Sequence, residues 1–597
     1  MNNHDKDYHF FATDFTLDRV ELKGLNTETP QVGDVPVTCF IPSDNEKDLF
    51  KNTLKILLAR EMVTVPGFEW MNSILPDHIP HELEDDMAKK SEIFLLPVSL
   101  NNEISYSDCV HILDEYTEIT NHWYSAAGRG GELDNLQIPV GGDQLTRVRL
   151  QGAKGLRAGA RTAEQRFERL YPMVVEMFHV LQDFLEKLCK KFLNLSKGRD
   201  AGTLANMKCQ IQRSNVNGKV KSRFKAHEDF VLTCGHSYFI AYIMKHFNIT
   251  DGKPMHHALP DKICSFINAK KREVFNNIMD EVVAEIFIPF ELEEPITDEM
   301  HIQISIMTQP PVVFTTVARP DNGTVNVVLD VAGKKVIVSL KVDTLLHGCR
   351  VNIPGVTAPI KFVTFKPPKL EDDLNNYVVN FMQWYFIILQ MKDALHKGDI
   401  YRINVILKQM IPFFYSHSAM SKYLTECIDY ILKTEHTLSQ QMSMKVRAAS
   451  VVNPTGGIGN NKAADLQKEN EVKYLKELIR GLGANKTEKA IVNVTRAAPV
   501  IASVCDAFDK QTKVKNLKST HKVRSRSDDT SALLKTLQKL DIWSIHGGRQ
   551  LQQKVKRSPF DFHRSHFKGI IKNTIKRLLR DLPAIHEDSD KSDSDDE

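Results

Sequence analysis

One stretch limits this chain more than any other: Leu136-Gln-Ile-Pro-Val-Gly-Gly-Asp-Gln-Leu-Thr146. A short apolar run ends in two glycines and a carboxylate, and a strongly basic segment follows at once. That is the pattern of a buried strand delivering an acid, Asp143, to the edge of a sheet, where metals and phosphates are handled. The competing reading is that Asp143 simply caps the helix that follows. Both readings require a strand–turn–helix at this place.

The companions of Asp143 are sparse. Enzymes that cut or join phosphodiesters by a two-metal route need carboxylates on neighbouring strand ends and one on a nearby helix. A strand ending in Asp is how a ribonuclease-H-like fold supplies one of them. His179 lies downstream on the apolar face of a helical stretch, where a core histidine bonded to a neighbour is the plainer reading. Glu469, in Asp465-Leu-Gln-Lys-Glu469, opens a helix after the glycine loop Asn453–Asn460. It is either the helix-borne metal carboxylate or an acid favoured there by the helix dipole. His78 and His81 have HxxH spacing, but Pro80 and the lack of a second ligand pair argue against zinc. Gly481-Leu-Gly-Ala-Asn-Lys-Thr487 ends like a phosphate-binding loop. It has Asn485 where glycine must precede the lysine, its first glycine is misplaced, and no strand leads into it.

The segment from Arg147 to Arg169 is dense in cations. Arg147, Arg149, Lys154, Arg157 and Arg161 form the candidate nucleic-acid-binding set, against the reading of a solvated helix face offset by Glu164 and Glu168. Lys513–Arg526 is basic and reads as disordered, and Arg549–Arg580 reads as an amphipathic basic helix. The lysine-rich character also serves nuclear import. The end, Glu587–Glu597, is acidic and sets Ser592 and Ser594 among aspartates.

Because the net charge is only +3, any argument for a polyanion partner must be local. Nine scattered cysteines without a CxxC fit a reducing, intracellular compartment, nuclear rather than cytoplasmic given the basic segments. The most apolar windows carry His236, Lys245, Asn380 and Gln383 and read as buried helices, so no membrane is expected. Pattern divides the chain into an N-terminal α/β part (1–200), a helical stretch (201–309), a β-meander (310–345), a second helical part with Asp465 and Glu469 (346–502), and a basic, partly disordered tail with an acidic end (503–597). Within the first part, Phe167–Leu195 reads as one long amphipathic helix. A capping-box pattern at Thr162-Ala-Glu-Gln165 precedes it.

Several pieces together resemble one family, the domain of unknown function DUF6589. They are Tyr8-His-Phe-Phe with Leu17-Asp-Arg19, Asp77-His-Ile-Pro-His81, Met87-Ala-Lys-Lys-Ser-Glu92, Asn101-Asn-Glu103, Gly141-Gly-Asp-Gln-Leu-Thr146, Phe178-His179, Asn453-Pro-x-Gly456, Asp465-Leu-x-x-Glu469 and Gly481–Thr487. The resemblance implies a transposon-derived protein with an Asp…His…Glu order similar to transposases. Asp143 would be the second catalytic acid, His179 the histidine after it, Glu469 the last acid, and residues 180–450 a helical insertion. Two departures stand out. The relatives' upstream Asp-Asn-x-Asp stretch is missing, and Asp5, Asp7 and Asp14 are poor substitutes because no apolar strand precedes them. Asn470 and Val472 also stand where more polar residues belong. The expected fold is therefore α+β, mostly helical, with an incomplete ribonuclease-H-like core. The expected function is DNA binding without competent catalysis. Mg²⁺ or Mn²⁺ at Asp143 and Glu469 enters only if an upstream acid completes the set. The alternative is a helical interaction scaffold.

Overall fold

The computed structural model describes residues 9–249, 259–293, 300–308, 312–318, 320–321, 323–331, 334–346, 348–353, 356, 358–364, 371–513 and 526–580. Asp5, Asp7, Tyr8, most of the basic Lys513–Arg526 segment and the acidic end lie outside the described residues. Two compact units emerge. One comprises residues 1–290, 373–544 and 551–597; the other comprises 291–372 and 545–550.

The first unit is mostly helical. Its centre is made by the Asp373–Lys397 and Phe224–His246 helices, which are apolar nearly all round and buried accordingly. They approach closely at Gly235, where a Cβ would meet the Tyr385 ring at 2.2 Å. Around this centre Phe184 meets Phe413 and Phe414 edge-on and Trp384 meets Phe413 edge-on, while Phe184 and Trp384 are tilted at 35°. Residues 526–580 are folded, not a loose tail. The helix expected over Arg549–Arg580 is shorter, Arg564–Arg580, and it buries Phe567, Ile571 and Ile575 within the fold.

The N-terminal part carries two small sheets. β1 (Asp14–Thr16) pairs antiparallel with β2 (Ile93–Leu95). β3 (Val140–Gly142) pairs parallel with β4 (Met173–Val175), with Gly142 opposite Val175. The Gln144–Leu156 helix lies between β3 and β4 in sequence, which is the crossover a parallel pair requires. It packs with the Tyr106–Ala126 helix around Ile112, Leu113, Leu150, Ala153 and Phe167. The single helix expected over Phe167–Leu195 is corrected: Met173-Val-Val is strand, and the helix spans Met177–Phe192. Pro172 and two β-branched valines favour extended chain there. Thr162 still accepts from the Gln165 N–H at 3.2 Å, but only a turn follows.

Several family-like motifs are structural clamps. Arg19 donates to the Met87 and Val451 carbonyls at 2.8 and 2.7 Å and to Asn461 Oδ1 at 3.0 Å. Asn453 closes its own loop by accepting from the Gly456 N–H at 2.8 Å and donating to the Gly457 carbonyl at 2.9 Å. His81 meets the Lys397 carbonyl and His78 meets Lys397 Nζ, so the HxxH pair serves packing.

The second unit is β-rich and wider than the expected 310–345. A four-stranded sheet in the order Cys349–Val351, Ile360–Thr364, Met300–Ile306, Val312–Ala318 accompanies a sheet of Pro320–Asp321, Thr324–Val331 and Lys334–Lys341. Ile302, Ile304, Val327, Leu329, Leu340 and Phe362 form its core. Residues 180–450 are thus not helical throughout. Among the described residues, no single helix is long and apolar enough to cross a membrane.

Candidate functional site

A cavity of about 820 Å³ opens where β1, the end of β3, the end of β4 and the Ala464–Gly481 helix converge. Asp14, Glu103, Asp143, Glu176, His179 and Glu469 line it. Asp143 follows β3 directly and caps the Gln144–Leu156 helix, its Oδ1 accepting from the Thr146 N–H at 2.7 Å. Asp143 thus follows a strand and caps a helix, the strand–turn–helix that the sequence requires here. Thr146 also donates its hydroxyl to Glu103 at 3.1 Å. Burial first, then the charge of Asp143, keeps the Glu103 carboxyl above its usual range against that hydrogen bond.

Glu176 follows β4 as Asp143 follows β3. It is enclosed, and burial, with Asp465 and Asp14 alongside, holds its carboxyl well above the usual range. Its side chain fills the space a Cβ on Gly141 would need: that atom would lie 2.1 Å from Glu176 Oε1. A Cβ on Gly142 would meet the Thr146 methyl at 3.0 Å. The two motif glycines are thus dictated by close packing of the acids and the helix start.

His179 opens into the cavity from the first turn of the Met177–Phe192 helix. Its Nδ1 meets Asp465 Oδ2 at 2.8 Å, and both Asp465 oxygens accept backbone N–H groups, from Phe178 and His179, at 2.9 Å. Asp465 thus caps a helix 286 residues away in sequence, satisfying donors that a helix start leaves unpaired. Burial opposes an imidazolium, but the Asp465 hydrogen bond and charge, then Asp143 and Glu469, raise the His179 pKa above its ordinary value. The other ring nitrogen faces Glu469 Oε1 at 3.8 Å. Glu469 sits one turn after Asp465 with its side chain 57% exposed. Asn470 donates to the Leu466 carbonyl of its own helix, and Val472 lines the cavity.

Asp14 was undervalued in the sequence. It opens β1 opposite Leu95, lines the cavity, and pairs with Lys468, which also pairs with Glu471 at 3.1 Å. The available signal was the apolar Phe10-Phe11-Ala12 just before it; the bridge from Phe11 to Ser99 is visible only in the fold. A three-residue strand leaves too few positions for a period to be read.

The model of a family described as Family of unknown function (DUF6589) matches residues 35–521. The chain belongs to DUF6589. The DUF6589 span holds Asp143, Glu176, His179, Asp465 and Glu469 and starts after Asp14 and Arg19. No curated protein and no solved structure matches the chain.

The candidate nucleic-acid set in this DUF6589 chain divides: Arg147 and Lys154 are corrected to inward-facing residues, and Arg149, Arg157 and Arg161 remain at the surface. Arg147 turns inward and holds Glu426 by two hydrogen bonds of 2.5 and 2.6 Å, with Asp429 at 3.8 Å. Lys154 donates to the Leu170 carbonyl at 2.8 Å, and burial lowers its pKa to about 8. Arg149 lies over the Tyr106 ring, and Arg157 meets Asp114 at 3.2 Å. Arg161 is exposed. An alternating helix presents cations to both sides, so an arginine count in sequence overstates the outward charge. The cavity itself has cations that the sequence did not single out: Lys445, Lys468 and Lys476.

Proposed function

We propose that this cavity is a divalent-metal site for phosphodiester chemistry on DNA, set in a ribonuclease-H-like core of transposon-derived type. The observation that carries the reading is the convergence of Asp14, Asp143, His179 and Glu469 on one cavity that also holds three lysines. The donor set fits Mg²⁺ or Mn²⁺, which take oxygen ligands with room for imidazole. Asp143 commits only Oδ1 to the helix cap, whereas both Asp465 oxygens are committed to N–H groups. On this reading Asp14, Asp143 and Glu469 are the ligands, and Asp465 is the brace that fixes the His179 ring. Lys468 pairs with Asp14 and Glu471 at the cavity wall and would supply positive charge there to a substrate phosphate. Bound divalent ions would activate a water and stabilise the leaving oxygen.

The test is cleavage of labelled DNA by the purified chain with Mn²⁺. Cleavage should appear and should fall at least a hundredfold in Asp143→Asn and Glu469→Gln. Cleavage that is absent, or unaltered in both variants, overturns the reading. A second reading, an interaction scaffold, draws support from the Ala498–Thr512 helix. That helix exposes Val500, Val504 and Phe508 by 66%, 63% and 61% along one ridge. It predicts protein association lost in Val504→Asp with no dependence on metal or DNA.

A further inference from the structure

A second cluster of metal-ligating side chains lies apart from the cavity lining. The Phe224–His246 helix ends in Tyr242-x-x-x-His246, and the Asn268–Ile286 helix carries Glu281-x-x-x-Glu285. Each pair is spaced four residues apart and so shares one helix face. The two faces meet. Glu285 Oε2 lies 3.3 Å from His246 Nδ1, and Glu281 Oε1 lies 3.6 Å from His246 Nε2. One donor atom from each of His246, Glu281 and Glu285 falls within 4.8 Å of the other two.

The surroundings hold this arrangement in place. The His246 side chain is only 8% exposed, while Glu281 and Glu285 are 41% and 51% exposed. The imidazole is thus fixed in the wall and the carboxylates reach it from the open side. Tyr242 and Phe247 contact the ring at centroid distances of 5.3 and 4.7 Å. The Tyr242 hydroxyl donates to Glu285 Oε2 at 2.5 Å. A donor on a ligating carboxylate is the kind of outer contact that orients metal ligands. A neutral imidazole carries one N–H, so it cannot donate to both flanking carboxylates at once. A dication on one ring nitrogen, shared with the carboxylates, removes that conflict.

We propose that His246, Glu281 and Glu285 form a zinc-binding site that ties these two helices together. One imidazole and two carboxylates with a remaining position for water is a ligand set that zinc accepts. The site is independent of the DNA reading, because none of its residues lines the other cavity.

The experiment is calorimetric titration of the full chain with Zn²⁺ at neutral pH, on wild type, Glu281→Gln, Glu285→Gln, His246→Ala and Asp143→Asn. One strong zinc equivalent is expected. It should weaken at least tenfold in each glutamine variant, vanish in His246→Ala, and persist in Asp143→Asn. The glutamine variants keep shape and hydrogen bonding, so a folding defect does not confound them, and matched circular dichroism verifies this. Zinc binding that is unchanged in Glu281→Gln and Glu285→Gln, or no binding at all, overturns the proposal.

Discussion

Gly141 shows how a missing side chain shapes the cavity. The enclosed Glu176 carboxyl occupies the place of its Cβ, so Gly141→Ala must push Glu176 out of its position or distort β3. The expected loss is about 1–3 kcal/mol of stability, read as a lower thermal midpoint. Gly142→Ala, facing a methyl at 3.0 Å, should cost less. Lys191 gives a pH prediction. Burial lowers its pKa to about 8, although its ammonium lies 5.3 Å from the Trp384 ring centroid. Between pH 8 and the unfolded value of about 10.4, the unfolded chain binds more protons, so stability rises with pH across that window. Below pH 8 the cost of the buried charge is fully present. Lys191→Met should therefore gain on the order of 1–2 kcal/mol at pH 7 and flatten the rise above pH 8. Urea midpoints measured from pH 7 to 10 check both.

Among the elements, the Gln144–Leu156 helix is tied to the Lys422–Leu432 helix by Arg147 and Glu426, whose side chains are 10% and 2% exposed. Arg147→Met alone should cost about 3–5 kcal/mol, because Glu426 is left buried and unpaired; Arg147→Met with Glu426→Leu should recover much of it. Additive losses in denaturant unfolding would contradict this. Long helices were legible in sequence: the apolar windows carrying His236 and Lys245, and Asn380 and Gln383, are the buried Phe224–His246 and Asp373–Lys397 helices. The segment Met173-Val-Val was misread because a short strand in a parallel pair is apolar on every residue, as a buried helix is. Strands within 310–345 were legible, whereas the pairing of Val312–Ala318 with Met300–Ile306, and of that strand with Ile360–Thr364, was not, since cross-strand pairing is non-local.

Across the whole molecule, the cavity assembles acids from position 14 to position 469. Asp143, His179 and Glu469 could be named from pattern and resemblance. Asp465 as the brace, Glu176 as the enclosed acid and Asp14 as the strand-borne acid depend on contacts that no local window contains. The inward turn of Arg147 depends on Glu426 in the same way.

The most direct measurement is Mn²⁺ binding followed by electron paramagnetic resonance, in a His246→Ala background so that the second cluster does not contribute. Mn²⁺ should bind, and affinity should fall at least tenfold in Asp14→Asn, Asp143→Asn and Glu469→Gln. Equal Mn²⁺ binding in all four proteins, or none in the parent, would mean that the acids only cap helices and pair with Lys468.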